Sequence, residues 1–203
     1  MSPRKIHPAP ILPLRVTKIC LWIVLLIPLS GLLMGAYTDK LGANPVEKIL
    51  RETGYWTLSM LMMTLAVTPL RKMTGVQWFG RVRRLVGLFA FFYACLHLSS
   101  YVVLDQFFDW QNILKDISKR PYITVGFSAF LFLLPLASTS TDAMIRRLGG
   151  SVWRKTHQLI YPIGLLGVIH FWWLVKKDIR QPLIFALIFA FLMGYRIWHS
   201  ART

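Results

Sequence analysis

The chain has 203 residues, 55% of them hydrophobic, with a mean hydropathy of +0.51 and a formal net charge of +16. So apolar a composition exceeds the roughly 45–50% of soluble domains and puts a membrane class first. The basic residues fall between apolar windows instead of gathering into one patch, which sets aside a nucleic-acid partner.

Residues 1–18 read as a basic, proline-bearing N-terminal tail that carries His7. Uncharged windows follow at 19–38, 53–70, 85–104, 121–141, 156–175 and 181–195, with lengths of 20, 18, 20, 21, 20 and 15 residues. A helix needs about 20 mostly apolar residues to cross the hydrocarbon core, so five windows fit directly. The sixth extends through Ile197 and Trp198, with Arg196 expected to snorkel toward headgroups. Only helices and closed barrels satisfy their backbone in lipid, and continuous apolar windows mean helices. The first window follows a basic tail as a signal peptide does. It exceeds a typical h-region and no A-x-A site follows, so a retained span is expected. Cys20 and Cys95 fall inside windows and are expected to be small buried apolar residues, not a disulfide.

Of the 24 Lys and Arg, 15 lie in the N-terminal tail, the loops after the second and fourth windows, and the C-terminal segment. The other nine share the opposite side with seven of the eight acids, Asp142 being the exception. A Lys/Arg excess marks the cytoplasmic face, so both termini are expected there. The fold class is therefore all-α, a polytopic bundle of six transmembrane helices. Its membrane domain spans 19–198, and a short cytoplasmic tail at 199–203 carries His199. Loops of about 15 residues leave no room for a built-in nucleotide-binding reductase domain. Electrons carried by such a chain are received from one partner and given to another.

His97, His157 and His170 lie within apolar windows, where an ionisable side chain is expensive and points to function. His97 lies 13 residues past Arg84, and His170 lies 15 past Lys155, on two windows running outward. At 1.5 Å per residue both imidazoles sit about 20–22 Å from the cytoplasmic edge. Two level histidines on different helices are what axial ligation of one b-type haem requires. Gly87, Ala90 and Ala94 before His97, and Gly164 and Gly167 before His170, make strips of small side chains. Such strips admit either a flat macrocycle or a neighbouring helix. His157 lies two residues past Lys155 and 13 before His170, so on one straight helix the two side chains are about 140° and 20 Å apart. One haem cannot take both, although Pro162 between them is able to change the facing. Three intramembrane histidines make one axial pair and leave His157 over, as an electron-entry residue or a ligand at a second site. Around it stand Arg81, Arg83, Arg84, Arg146, Arg147, Arg154 and Lys155. They read first as positive-inside topology, and more sharply as an anion site for a flavin phosphate, which guanidinium groups bind bidentately.

The run from Trp153 through Arg154, Lys155, Thr156, His157, Gln158, Leu159 and Ile160 to Tyr161, preceded by Arg146-Arg147-Leu148-Gly149, resembles the ferric-reductase-like transmembrane family. So do Arg83-Arg84-Leu85-Val86-Gly87-Leu88 leading into His97, Arg120-Pro121-Tyr122-Ile123, and Thr139-Ser140-Thr141. Thr156 stands where the family usually has Leu, at a position that is not a ligand. The resemblance covers nearly the whole chain. It implies a haem b protein of the bacterial inner membrane that also binds FMN. It further implies electrons drawn from the quinone pool or a cytoplasmic flavin reductase and passed to a periplasmic molybdopterin subunit. That subunit reduces methionine sulfoxide in oxidised periplasmic proteins, so the sulfoxide chemistry is expected on the partner. The wider family usually places two histidines on each of two helices, and this chain has one on its third window. The site therefore stays the one read from the residues: His97 and His170 as axial iron ligands, with His157, Arg83, Arg84 and Arg154 toward cofactor on the inner side. Within electron transfer the alternatives are a cytochrome b anchor for another periplasmic oxidoreductase, or a ferric reductase. Outside it stands a cofactor-free transporter or assembly scaffold that uses its histidines for protonation or packing.

Overall fold

The computed structural model describes residues 13–76 and 78–202. His7 and most of the expected N-terminal tail lie outside the described residues. The elements are α1 (Leu14–Tyr37), α2 (Pro45–Thr74), α3 (Phe79–Ser100) continued by one π-helical turn (Tyr101–Asp105), α4 (Trp110–Lys119), α5 (Pro121–Ser138), α6 (Asp142–His157), α7 (Ile160–Leu174) and α8 (Arg180–Ser200).

Each apolar window lies largely along one of α1, α2, α3, α5, α7 and α8, the window at 156–175 beginning on the last turn of α6, and the chain is an all-α membrane protein. Four of these helices, over Arg15–Tyr37, Phe79–Asp105, Pro121–Ser138 and Arg180–Ser200, are by themselves long and apolar enough to cross a membrane. The other two are interior. α2 is 30 residues long and packs against α1, α3, α7 and α8. α7 has 15 residues, about 22 Å of helix against a core of about 30 Å, and packs against α5, α2 and α8. Tyr93 on α3, Met60 and Leu65 on α2 and Ile163 on α7 are fully buried in one continuous core. The outer helices instead turn large apolar side chains outward: Ile19, Ile23 and Leu33 on α1 and Leu187 and Phe191 on α8 are well exposed. That is the pattern of a surface solvated by lipid. Cys20 belongs to that outward set, contrary to its expected burial, because α1 lies at the rim.

Local chemistry sets the helix ends. Asn44 caps α2 by accepting from the Glu47 amide, Pro45 follows at the first helical position, and Gly75 closes the helix at φ +72 by donating to the Arg71 carbonyl. Two helices occupy stretches that read as loops. α4 is short and amphipathic, capped by Asp109, and turns Ile113 and Asp116 inward. The buried Asp116 carboxylate accepts from the Tyr101 hydroxyl at 3.0 Å and pairs with Arg120 at 3.1 Å. α6 is two short helical segments joined at Gly149, which breaks the helix at φ +76 and ψ 151. Thr141 caps the first, with Asp142 in its first turn, and Arg154, Lys155 and His157 stand in the last turn of the second.

Two expectations are corrected here. His157 and His170 do not share one helix: the chain turns at Gln158 and Leu159, so His157 ends α6 and α7 starts at Ile160. Pro162 follows in the first turn of α7, where its missing N–H is tolerated. Arg196 does not snorkel to headgroups. Its Nη2 donates to the Leu65 carbonyl at 2.6 Å, and its guanidinium carbon lies 5.3 Å from the Tyr161 ring centroid. The reason is Pro69 inside α2, which has no N–H to offer the carbonyl four residues back. That carbonyl is Leu65, and a lipid-embedded bundle has to supply it another donor.

Candidate functional site

α2 lies along α3, and α5 lies along α7. Each pair holds one histidine in the same way. On α3, His97 Nδ1 lies 3.0 Å from the Leu50 carbonyl of α2 and 3.3 Å from Thr53 Oγ1. Thr53 is buried, and its hydroxyl donates back to the Ile49 carbonyl at 2.7 Å. On α7, His170 Nδ1 lies 2.6 Å from the Tyr122 carbonyl of α5. In each case Nδ1–H donates to the carbonyl oxygen, which fixes the tautomer and leaves Nε2 with its lone pair. A carbonyl on the far nitrogen is the usual support of a metal-binding imidazole.

The two rings face each other with centroids 6.1 Å apart and planes at 74°. Two metal–imidazole bonds of about 2 Å each, with half a ring behind each nitrogen, come to about 6 Å. Among the described residues no group of three His, Cys, Asp or Glu is placed to hold a bare metal ion. A pair of imidazoles alone suits an iron whose remaining positions a porphyrin fills. The residues present therefore fit haem b.

His157 lies elsewhere. Its Nδ1 is 3.0 Å from the Trp153 carbonyl and its Nε2 is 3.5 Å from Ser140 Oγ. The ring stacks on Trp153 at 4.0 Å, and the Trp153 indole N–H donates to the Thr139 carbonyl at 3.0 Å. Together they wall a cavity of about 410 Å³ between α2, α3, α5, α6 and α7, also lined by Arg71, Arg83, Arg84 and Arg154. Neither His97 nor His170 lines it. Arg84 Nη1 contacts the Asp142 carboxylate at 2.6 Å, clamping α6 to α3. That hydrogen bond and the Arg84 charge hold the exposed Asp142 carboxyl below the usual carboxylate range. Among the described residues, Arg71, Arg83 and Arg154 form no ion pair. A half-enclosed cavity with three such guanidiniums has the chemistry to take an anion.

The site residues expected from sequence thus fall into two groups: His97 with His170, and His157 with Arg83, Arg84 and Arg154. Sequence reasoning missed the groups that hold them: Thr53, the Leu50 and Tyr122 carbonyls, Gly54, Gly126, Trp153, Ser140 and Arg71. Glycines inside helical windows were a signal, since glycine is a poor helix former and needs a packing reason. The strips singled out instead serve helix packing. A side chain at Gly87 would meet Thr64, at Gly164 would meet Phe189 and Leu65, and at Gly167 would meet Leu58. Ala90 and Ala94 are buried in the core.

Residues 53–168 match the family described as ferric reductase like transmembrane component. That stretch holds Gly54, His97, Gly126 and His157 and stops just short of His170. The chain is 51% identical over 194 residues, 95% of it and 88% of the relative, to the protein-methionine-sulfoxide reductase heme-binding subunit MsrQ of Herminiimonas arsenicoxydans. It is 48% identical to the subunit of that name from Ralstonia nicotianae, over 91% of this chain and 86% of the relative. With that of Xanthomonas axonopodis pv. citri it shares 55% identity, over 81% of this chain and 76% of the relative.

Proposed function

This chain belongs to the ferric reductase like transmembrane family, beside the MsrQ subunits, and on that premise we propose that it is the haem-binding membrane subunit of a methionine sulfoxide reductase system. It passes electrons across the bacterial inner membrane, from the quinone pool or a cytoplasmic flavin reductase to a periplasmic molybdopterin subunit of the MsrP type. That partner carries out the sulfoxide reduction that repairs oxidised proteins.

The observation that carries the reading is the facing pair His97 and His170, with ring centroids 6.1 Å apart and each Nδ1 tied to a backbone carbonyl. Their Nε2 atoms would hold the iron of haem b. On the inner side, Arg83, Arg154 and Arg71 would take the phosphate of FMN, with Arg84 kept at the rim by Asp142. Bound haem supplies a one-electron carrier inside the bilayer, and bound FMN supplies exchange of one or two electrons. The chain's own work is to position, insulate and neutralise. Apolar faces of α3, α5 and α7 keep water from the imidazole pair, and the arginines offset anionic charge at the cytoplasmic edge. With both termini in the cytoplasm, the arginine cavity opens toward the donor and the histidine pair stands nearer the periplasmic acceptor.

The test is the visible spectrum of the purified full chain, followed by reconstitution with a periplasmic sulfoxide reductase subunit. The expected results are a sharp reduced band of bis-histidine haem, and its re-oxidation by methionine sulfoxide only when that subunit is present. A colourless protein sinks the reading in favour of a cofactor-free scaffold. Haem that the sulfoxide reductase cannot re-oxidise points to a different periplasmic acceptor.

A further inference from the structure

The two histidines share a bracing motif. His97 donates to the carbonyl of Leu50, and His170 donates to the carbonyl of Tyr122. In both helices the residue four places on is glycine: Gly54 after Leu50 and Gly126 after Tyr122. A Cβ on a helix tilts toward the N-terminus and overhangs the preceding turn. At these two places that overhang is missing, and the imidazole occupies the space. A Cβ built on Gly54 would lie 3.1 Å from His97 Cε1 and 3.3 Å from its Nδ1. One built on Gly126 would lie 2.7 Å from His170 Nδ1 and 2.8 Å from its Cε1. The first contact is met by a small ring movement, whereas the second cannot be accommodated with the ring in place.

We propose that Gly54 and Gly126 are positioning residues that set the planes of the two axial imidazoles, each opening a notch through which the ring reaches the carbonyl one turn back. The proposal rests on the haem reading above and deepens it. A side chain at either notch turns the ring about the bond that Nε2 would make and withdraws Nδ1 from its acceptor. The planes now stand at 74°. In low-spin ferric haem, crossed axial imidazoles keep two iron d orbitals nearly degenerate and give a highly anisotropic electron paramagnetic resonance signal. Parallel planes split those orbitals and give a rhombic signal. The glycine notches therefore control a property that a merely structural glycine leaves untouched.

The experiment compares full-length wild type, Gly54→Ala, Gly126→Ala and the control Gly194→Ala, whose added Cβ meets nothing within 4 Å. Each is read by haem content and by the ferric resonance spectrum. Wild type and Gly194→Ala are expected to share the highly anisotropic low-spin signal. Gly54→Ala is expected to keep its haem while the signal moves toward the rhombic form. Gly126→Ala is expected to lose the low-spin signal. If Gly126→Ala does not accumulate in the membrane, the Gly54→Ala spectrum decides alone. A rhombic wild-type signal overturns the proposal, and so does a wild-type signal in Gly54→Ala or in an accumulated Gly126→Ala. Wild type without haem defeats the haem reading itself, whereas haem with unmoved signals defeats only the role of the glycines.

Discussion

Trp153 and His157 stack at 4.0 Å on the last turn of α6, and His157 Nδ1 is bonded to the carbonyl of that same tryptophan. The orientation of His157 is therefore set by its own helix, with Ser140 Oγ 3.5 Å from Nε2, and owes nothing to His97 or His170. His157→Ala should leave the haem of the other pair largely formed, while its reduction by a cytoplasmic donor slows. Haem content and stopped-flow reduction, measured side by side, check this. Complete loss of that haem makes His157 one of its ligands, and an unchanged rate removes His157 from electron entry.

His97→Ala or His170→Ala should abolish the low-spin spectrum, because either change leaves the iron one axial ligand short. Both proteins should still insert, since each change makes a helix more apolar. A full wild-type spectrum in either well-expressed variant contradicts the pairing.

The Leu65 carbonyl, which Pro69 leaves without its helical donor, gives a rescue experiment. Arg196→Leu should lower the unfolding midpoint in detergent, by an amount corresponding to about 1–3 kcal/mol for one bare buried carbonyl. Adding Pro69→Ala restores an N–H to α2 and should recover most of that loss. If the double variant is no more stable than the single one, the carbonyl is not what Arg196 serves.

Flavin retention should depend unequally on the cavity arginines. Arg83→Ala or Arg154→Ala removes a group that holds no carboxylate, and each should weaken retention about tenfold or more, as charge-assisted bonds of about 1.5–3 kcal/mol imply. Arg84→Ala should cost less, because that guanidinium is held on Asp142. The clamp itself follows pH. The Asp142 carboxyl is held below its ordinary range by the Arg84 hydrogen bond, so the clamp's contribution is full above that range and is lost as pH falls through the lowered value. Equilibrium dialysis of FMN against each variant ranks the residues, and an equal loss at Arg84 overturns the order.

Both termini should face the cytoplasm. Reporters fused after Thr203 and within 109–117 should report cytoplasm and periplasm respectively. A periplasmic signal from the C-terminal fusion overturns the arrangement.

By itself the sequence determined what depends on composition along one line. Six apolar windows became six helices, because a backbone in lipid has no other way to pair its groups. His97 and His170 do meet, as their shared level suggested, but the count for His170 ran from Lys155 along one straight helix, and the turn at Gln158 and Leu159 puts Lys155 on α6. Only the tertiary structure decided which groups meet across helices. Arg196 was expected at headgroups and lies inside, because a proline on another helix left a carbonyl open. His157 was placed on the helix of His170 and belongs to α6, because a two-residue turn breaks a window that hydropathy reads as continuous. The glycines chosen by their spacing from the histidines pack helices, and the two that meet the imidazoles lie on neighbouring helices, Gly54 43 residues before His97 and Gly126 44 before His170. Such contacts carry no local periodicity, since they depend on how α2 lies along α3 and α5 along α7, and that packing is fixed by side chains far apart in the chain.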